Sequence, residues 1–282
     1  MTDKAKEKLA FGRWNLNIQD KTLIMGILNV TPDSFSDGGN YSQPSNAVNH
    51  AKKMIENGAD IIDIGGESTR PGATKVELEE EVRRTIPIIK ALSKEVNAPI
   101  SIDTYKAEVA KQAIEAGAHI INDVWGAKAD PYMAKVAAHY EVPIILMHNR
   151  HNRNYTHLIN NMIDDLMESV SIAKSAGVKD ENIILDPGIG FAKTFEMNIE
   201  VMRNLDQIVA IGYPVLLGTS RKSFIGQILD LPEQERMEGT GATVCLGIQK
   251  GCHIVRVHDV LSMARMSKVM DVLVGKGVNI RG

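Results

Sequence analysis

The chain has 282 residues, of which 44% are hydrophobic and 24% are charged, and its formal net charge is −3. This composition is that of an ordinary globular protein, and the slightly negative charge argues against nucleic acid as a partner. The N-terminus lacks the apolar core of a signal peptide, and no run of about 18 apolar residues predicts a membrane span. We therefore expect a cytoplasmic protein with no nucleic-acid or membrane partner.

Short β-branched runs alternate along the chain with longer stretches of helical periodicity, a pattern typical of βα units on a parallel sheet. Eight runs predict strands, at 23–28, 60–64, 99–102, 119–122, 142–147, 183–185, 215–218 and 253–257. Helical periodicity is clearest at 45–57, 77–95, 107–115, 156–175 and 262–274. Several of these helices end at a glycine, as helices commonly do.

Eight near-continuous apolar strands favour a closed (β/α)8 TIM barrel, because closure buries every strand and leaves no edge. An open doubly wound sheet is the alternative. No linker or composition shift divides the chain, so a single domain over residues 1–282 is the simplest prediction. Polar and apolar residues alternate around Trp14, Leu16 and Ile18, which predicts a short N-terminal hairpin that plugs the barrel floor.

Almost every predicted strand ends in polar residues that an apolar core would not tolerate. They are Asn29, Asp63, Glu67, Asp103, Asn122, Asp123, His148, Asp186, Ser220, Arg256, His258 and Asp259. In a barrel these positions converge on the rim that carries catalytic residues. Aspartates after strands also cap helices, and we expect that role for Asp123 and Asp259. For Asp103, Asn122 and Asp186 we expect a functional role, because buried carboxylates need a ligand or a charge as partner.

The loops after the first two strands, at 31–39 and 65–73, are long and rich in Gly, Pro, Ser and Thr. They are interpreted as a mobile lid, with a solvated surface as the alternative. Glycines at 186–194 would let backbone approach a flat ligand closely. Cations at 219–224 and 256–259 predict a phosphate or pyrophosphate near strands seven and eight.

Oxygen-rich chemistry of this kind suits Mg²⁺, which binds substrate phosphates with few protein groups, and Asn29 is the predicted metal position. His148, His151 and His157 lack the spacing of a zinc site and are expected in a solvated loop. Cys245 and Cys252 lack the spacing of a metal or redox pair, which predicts buried free thiols.

Eight segments, spread over almost the whole chain, match the motifs of a known family. They are NVTPDSFSDGG from Asn29, DIGGESTRPGA from Asp63, SIDT from Ser101, NDV from Asn122, MH at Met147, DPGIGFAKT from Asp186, SRKSF from Ser220 and RVHDV from Arg256. In these segments the chain resembles dihydropteroate synthases. The first two are highly specific. The resemblance implies condensation of 6-hydroxymethyl-7,8-dihydropterin pyrophosphate with p-aminobenzoate, assisted by Mg²⁺, to give 7,8-dihydropteroate and pyrophosphate in folate biosynthesis.

The resemblance also implies a role for each matching residue. The pterin would be held by Asp103, Asn122, Asp186, Lys222 and Arg256. Pyrophosphate would be bound by Asn29, Arg256 and His258, with Asn29 also serving the metal. The p-aminobenzoate would be framed by Phe35, Thr69, Arg70, Pro71, Phe191 and Ser223. Catalytic roles are implied for Asp37, Arg70, Lys222 and Arg256, and Asp37 would order the closed loops.

The family further implies a dissociative path, a homodimer formed through helices near the C-terminus, and competition by sulfonamides. A methyltetrahydrofolate–corrinoid methyltransferase would share the pterin carboxylates but has no need for the diphosphate cluster of Lys222, Arg256 and His258. A catalytically silent pterin-binding protein is the third hypothesis. The segment after the MetHis pair departs from the usual family sequence, and no catalytic role is assigned to Asn149 or Arg150.

Overall fold

The computed structural model describes residues 8–30, 43–67 and 75–277. Its strands are β1 Lys8–Phe11, β2 Trp14–Asn17, β3 Leu23–Asn29, β4 Ile61–Gly65, β5 Ile100–Asp103, β6 Ile120–Asp123, β7 Ile144–Met147, β8 Ile183–Asp186, β9 Leu216–Leu217 and β10 Ile254–Val257. Its α-helices are α1 Gln43–Glu56, α2 Leu78–Glu95, α3 Ala107–Glu115, α4 Met133–His139, α5 Leu158–Ser175, α6 Phe195–Arg203, α7 Leu205–Val209, α8 Ser223–Leu229, α9 Met237–Gln249 and α10 Val260–Leu273.

Strands β3 to β10 form one parallel sheet in which neighbours in sequence are neighbours in space, with β10 pairing both β3 and β9. The ends of this sheet are brought together by a parallel bridge between Leu185 and Val215, and Leu185 N donates to Pro214 O at 2.9 Å. The eight-stranded barrel predicted from the sequence is therefore confirmed.

Two apolar layers result from the alternation of side chains along each strand. Residues on the outer face, such as Ile62, Ile64 and Ile102, join the large cluster shared with the surrounding helices. Residues on the inner face form a second cluster inside the barrel, and it contains Leu23, Met25, Ile61, Ile120, Ile145, Ile184, Leu216 and Ile254. The amino-terminal half of the barrel is thus filled by apolar side chains, which leaves the carboxyl ends for polar groups.

The N-terminal hairpin belongs to this inner cluster. Strands β1 and β2 pair antiparallel, and Leu9 (0% exposed), Phe11 and Ile18 pack against the first inward residues of the barrel strands. The predicted plug at the barrel floor is confirmed, and it closes the end opposite the polar rim.

The strand boundaries shift by about one residue from those expected from the sequence. Asn29, Asp103 and Asp186 are the last residues of β3, β5 and β8, where the sequence analysis placed them just after the strands. Ladder hydrogen bonds extend to these polar residues, as in the pairing of Asp103 with Gly65 and Asn122. Their side chains are therefore positioned by the sheet itself.

Among the described residues, no helix is long and apolar enough to cross a membrane.

Replacing Leu9 with alanine should destabilise the fold by about 2–5 kcal/mol, because the cavity would lie between the plug and the barrel. Denaturant unfolding would measure the change in the free energy of unfolding. The control is Ile228→Ala on α8, where the side chain is 56% exposed and truncation should have little effect. If both substitutions changed the free energy of unfolding by equally small amounts, the hairpin would not be part of the core.

Candidate active site

Five polar residues of the rim point inward, because each lies an even number of positions from an apolar residue of the inner cluster. Asp63 follows Ile61 by two residues, Asn122 follows Ile120, and Asp186 follows Ile184. The same spacing relates Asn29 to Met25 and Arg256 to Ile254. Side chains two apart in a strand share a face, so the mouth of the barrel receives all five polar groups.

Arg256 lies at the centre of the site and joins two carboxylates from different strands. Its Nε donates to Oδ2 of Asp63 at 2.6 Å, and its Nη2 donates to Oδ2 of Asp103 at 2.7 Å. Asn122 Nδ2 donates to the same Asp63 oxygen at 3.2 Å. Carboxylates and a cation therefore meet within one cluster at the rim. Buried charges of opposite sign pair directly, and the long arginine reaches across the mouth to do so.

The carboxylates of this cluster keep hydrogen-bonding capacity for a ligand. Asp63 and Asp103 are 0% and 5% exposed, and one buried oxygen of each has no hydrogen-bond partner among the described residues. Burial raises the pKa of Asp103 to about 7, although the neighbouring Arg256 guanidinium opposes the rise. Unsatisfied buried acceptors are costly, and a ring with N–H donors would satisfy them. This side of the mouth is suited to a donor-rich heterocycle.

Asp186 and Lys222 form the opposite part of the mouth. Burial raises the pKa of Asp186, while the Lys222 ammonium opposes the rise, and one Asp186 oxygen accepts a 2.7 Å hydrogen bond from Gly188 N. Lys222 donates to the carbonyl of Ile189, and its Nζ lies 4.6 Å from the centroid of the Phe191 ring. Burial lowers the pKa of Lys222 to about 8, whereas Asp186 raises it. The cation is therefore held beside an aromatic ring and a carboxylate.

The segment 219–224 contains two cations, and of these Lys222 faces the mouth. Arg221 instead pairs with Asp259, with Nη2 to Oδ1 at 2.6 Å and Nε to Oδ2 at 3.0 Å. Asp259 lies at the N-cap position of α10 but makes no side-chain cap bond, so the expected capping role was wrong. The ion pair with Arg221 uses both of its oxygens. Ser220 Oγ and His258 Nδ1 lie 2.9 Å apart, which places His258 on the same side as Lys222.

Asp123 points outward, since it is one residue beyond the inward Asn122. Its carboxylate accepts from Trp125 N at 2.8 Å and Ala127 N at 2.6 Å, so it organises the turn after β6. Burial raises the pKa of Asp123 to about 6, and these two backbone bonds oppose the rise. The helix-capping role expected for Asp123 was wrong, because the next helix begins only at Met133; the role of Asp123 is structural, but in a turn.

The expected solvated histidine loop was partly wrong. His151 and His157 are exposed, but His148 is only 2% exposed, because its backbone N–H continues the sheet by donating to Asp186 O at 2.9 Å. The two cysteines are free, as expected, but only Cys252 is buried.

Asn29 and Ser223 lie at the outer edge of the mouth, and both are exposed. A Cβ built on Gly65 would lie 3.8 Å from Asn29 Oδ1 and 3.7 Å from Asp103 Oδ2, which places Gly65 next to both side chains. No group of three or more His, Cys, Asp or Glu residues within the described ranges could hold a metal. Phe35, Asp37, Thr69, Arg70 and Pro71 lie outside the described residues, so their predicted roles stay predictions.

Two residues of this region were not assigned by the sequence analysis. Asp63 lies two residues after Ile61, and Asp103 lies two residues after Ser101. The sequence pattern that marked Asp103 therefore marked Asp63 as well. Lys193 belongs to the loop after β8 and is 4% exposed, and no feature of the sequence marks that lysine as buried.

Comparison with known proteins agrees with this geometry. Residues 25–258 match the family described as pterin binding enzyme. Dihydropteroate synthase of Bacillus subtilis strain 168 is 64% identical over 262 residues, covering 93% of this chain and 92% of the relative. A crystal structure of dihydropteroate synthase from Clostridium difficile, obtained in the presence of pteroic acid, superposes with a TM-score of 0.88 at 51% identity. That likeness covers 90% of this chain and 97% of the other.

The enzyme of Xanthomonas albilineans with 4-aminobenzoic acid gives a TM-score of 0.90 at 39% identity, with coverage of 95% and 98%. The family match begins in β3 and ends just after β10, so it spans the barrel strands that carry the site. The chain belongs to the dihydropteroate synthase family of pterin-binding enzymes.

Proposed function

We propose that this chain condenses 6-hydroxymethyl-7,8-dihydropterin pyrophosphate with p-aminobenzoate to give 7,8-dihydropteroate and pyrophosphate in folate biosynthesis. The observation that carries the proposal is the Arg256 cluster, in which one guanidinium joins Asp63 and Asp103 at the mouth of the barrel. Relatives named dihydropteroate synthase, one of them 64% identical, support the same activity. A methyltransferase would not need the cations Lys222 and Arg256 at this position.

The pterin is proposed to bind between Asp103, Asn122 and Asp186, with its amino and ring N–H groups donating to the carboxylates. Support comes from the buried oxygen of Asp103 that lacks a partner among the described residues. Asp63 is added to this set, since it shares Arg256 with Asp103 and also has a buried oxygen without a partner there. Hydrogen bonds to charged groups are about twice as strong as neutral ones, which suits recognition of a flat polar ring.

The diphosphate is proposed to bind beside Lys222, Arg256 and His258. Asn29 offers a hard amide oxygen at the open edge of the mouth, and Mg²⁺ in proteins is commonly held by one or two oxygen groups together with substrate phosphates. The residues present therefore fit a magnesium ion that is shared with the diphosphate and held on the protein by Asn29. When bound, the ion would neutralise charge on the leaving pyrophosphate.

The proposed reaction breaks the bond between the pterin methylene carbon and the diphosphate oxygen and forms a bond from that carbon to the aniline nitrogen. Pyrophosphate takes the electron pair of the broken bond, and the nitrogen then loses one proton. Lys222 and Arg256 would stabilise the leaving group, and the nearby carboxylates would stabilise positive charge on the pterin methylene. This is preorganised electrostatic catalysis and requires no enzyme nucleophile.

Phe191 and Ser223 are proposed to border the p-aminobenzoate. Phe191 is half-buried beside Lys222, and Ser223 is exposed at the start of α8. Phe35, Thr69, Arg70 and Pro71 are proposed to complete this subsite, with Asp37 ordering the loops over it. An aniline reactant bound in a site of this form should be displaced by sulfonamides, its structural mimics.

A homodimer is proposed as the assembly, and a cytoplasmic location stays a prediction. Exposed apolar side chains on α10, namely Val269 (61%) and Leu273 (73%), support an interface on this helix. Sedimentation at the mass of one chain, 30.9 kDa, would contradict the dimer.

Purified protein should release pyrophosphate and form dihydropteroate only when the pterin pyrophosphate, p-aminobenzoate and Mg²⁺ are all present. Chromatography of the product and a pyrophosphate assay would measure both, and omission of each component provides the control. Folded protein that binds pterin but makes no product would favour the methyltransferase or the silent pterin-binding protein.

A dissociative path predicts that fluorine on the pterin methylene lowers the rate strongly, because electron withdrawal destabilises the cation at that carbon. Single-turnover rates with the fluorinated and parent substrates would test this. A rate that does not respond to the substitution would exclude a cationic intermediate.

Replacing Arg256 with lysine should lower kcat/KM for the pterin pyrophosphate by roughly 100-fold, about 2.7 kcal/mol, because an ammonium cannot make the same forked contact with two carboxylates. Steady-state kinetics at saturating p-aminobenzoate would measure the loss, with thermal unfolding to verify the fold. The matched control is Arg203→Lys, at an exposed arginine of α6, which should leave kcat/KM unchanged. Wild-type kinetics in the Arg256 variant would remove Arg256 from the proposed site.

A further inference from the structure

Lys193 is a buried lysine with a complete set of hydrogen-bond acceptors. Its Nζ donates to the carbonyl of Gly188 at 2.9 Å and to that of Phe191 at 3.0 Å, and it lies 3.0 Å from Nδ1 of His148. An ammonium group has three N–H donors, which matches these three partners. The side chain is 4% exposed, so no competing solvent contact is available to it.

The third contact depends on the tautomer of His148, which is fixed by Asp165. His148 Nε2 lies 2.9 Å from Oδ2 of Asp165, and Asp165 also accepts two bonds from Arg150. Burial raises the pKa of Asp165, but hydrogen bonds from His148 and Arg150 outweigh burial and hold this pKa well below its usual range. An ionised carboxylate only accepts, so His148 carries its proton on Nε2. Burial lowers the pKa of His148 to about 4, which leaves Nδ1 free of a proton to accept from Lys193.

The loop held by Lys193 contains left-handed residues and carries groups of the candidate site. Gly188, Gly190 and Ala192 have φ of +64°, +87° and +49°, so three of five consecutive residues are left-handed. A Cβ on Gly188 would lie 2.0 Å from His148 O, which shows how closely the loop packs on the end of β7. Glycine adopts this conformation at little cost, whereas the non-glycine Ala192 needs surrounding contacts to hold it. Lys193 bonds the carbonyls at both ends of the segment 188–191, whose last residue is Phe191.

We propose that Lys193 is a positioning residue, which in its ammonium form holds the segment 188–191 so that Phe191 faces Lys222 at the barrel mouth. The three acceptors lie on the loop after β8 and on His148. The chain of contacts continues through His148 to Asp165 on α5, so the loop is fastened to a helix outside the barrel. Lys193 touches neither Asp186 nor Lys222 in any hydrogen bond of the structure and acts through the backbone instead.

Deprotonation of Lys193 would weaken this arrangement, because a neutral amine has two N–H groups for three acceptors. Burial lowers the pKa of Lys193 to about 7, and Lys222 and Arg150 lower it further, while Asp186 and Asp165 raise it. With His148 neutral, these are the charged groups that face Lys193 from β8, α5, the start of α8 and the loop after β7. The positioning is therefore complete below about pH 7 and is lost as pH rises through that value.

The direct test is ¹⁹F NMR of protein labelled with 4-fluorophenylalanine. The chain has five phenylalanines, and Phe191→Leu identifies the resonance of Phe191. Because Lys222 Nζ also lies 4.6 Å from that ring, the titration is recorded in the Lys222→Met background. There Phe191 should titrate with one midpoint above 7, since removal of the neighbouring cation favours the Lys193 ammonium.

Adding Lys193→Met to this background should abolish the titration of Phe191. Adding His148→Leu should move the midpoint to lower pH, because the ammonium loses one acceptor, and this variant serves if the Lys193 variant does not fold. The matched control is Lys174→Met, at an exposed lysine of α5 paired with Asp180, which should leave the titration unchanged. A Phe191 resonance that does not titrate, or that titrates without Lys193, would overturn the proposal.

A kinetic test rests on the proposed function, and its result is interpreted separately from that of the NMR titration. At about pH 6 the single variant Lys193→Met should raise KM for p-aminobenzoate roughly tenfold, the effect of one charged hydrogen bond, with kcat changed less than about twofold. At about pH 8.5 the difference in KM from wild type should shrink, because wild-type Lys193 is then largely neutral. A purely structural defect would lower kcat and would change KM by the same factor at both pH values. That result would contradict the positioning role. If wild-type protein made no dihydropteroate, the proposed function would fail, while the NMR titration would still decide the role of Lys193.

Discussion

The two-residue repeat of a β-strand directs the polar side chains of the strands into the mouth of this barrel. In each strand one face packs against the helices and the other faces the interior, so a polar residue at even spacing from an inward apolar residue must also point inward. Asp63, Asn122 and Asp186 satisfy this rule with respect to Ile61, Ile120 and Ile184. The apolar plug of Leu9 and Phe11 fills the opposite end. The same repeat thus builds the core at one end and concentrates charge at the other.

Concentrating charge in a poorly solvated mouth has energetic consequences. The carboxylates of Asp103 and Asp186 have raised pKa values, and the ammonium of Lys222 has a lowered one, with burial as the largest cause in each case. Pairing with Arg256 offsets part of this cost for Asp63 and Asp103. A buried cluster of this kind is weak evidence for stability, but it is suited to a substrate that brings both N–H donors and a diphosphate.

The groups around the mouth differ in how they are fixed. Asp63, Asp103 and Asn122 belong to strands, so the ladder positions them directly. Phe191 belongs to a loop with left-handed residues at Gly188, Gly190 and Ala192, and its position depends on contacts made behind the loop. Lys193 supplies those contacts from a position that the substrates would not reach. Fixing a functional loop from behind in this way leaves its front surface available to a ligand.

The sequence by itself determined the eight βα units and the polar residues at the strand ends, because alternation of apolar runs and turn residues is a local property that survives folding. Closure of the sheet, for which an open sheet was the alternative, depends on the long-range bridge between Leu185 and Val215. The resemblance of whole motifs named the family. The tertiary structure alone decided which charges meet. Arg256 pairs with Asp63 and Asp103, which precede it in the chain by 193 and 153 positions. Arg221 pairs with Asp259 rather than facing the mouth. It also decided that His148 and Lys193 are buried, since burial depends on how the loop after β8 packs on the end of β7. Such partners are set by distances across the closed barrel, which no local pattern in the chain encodes.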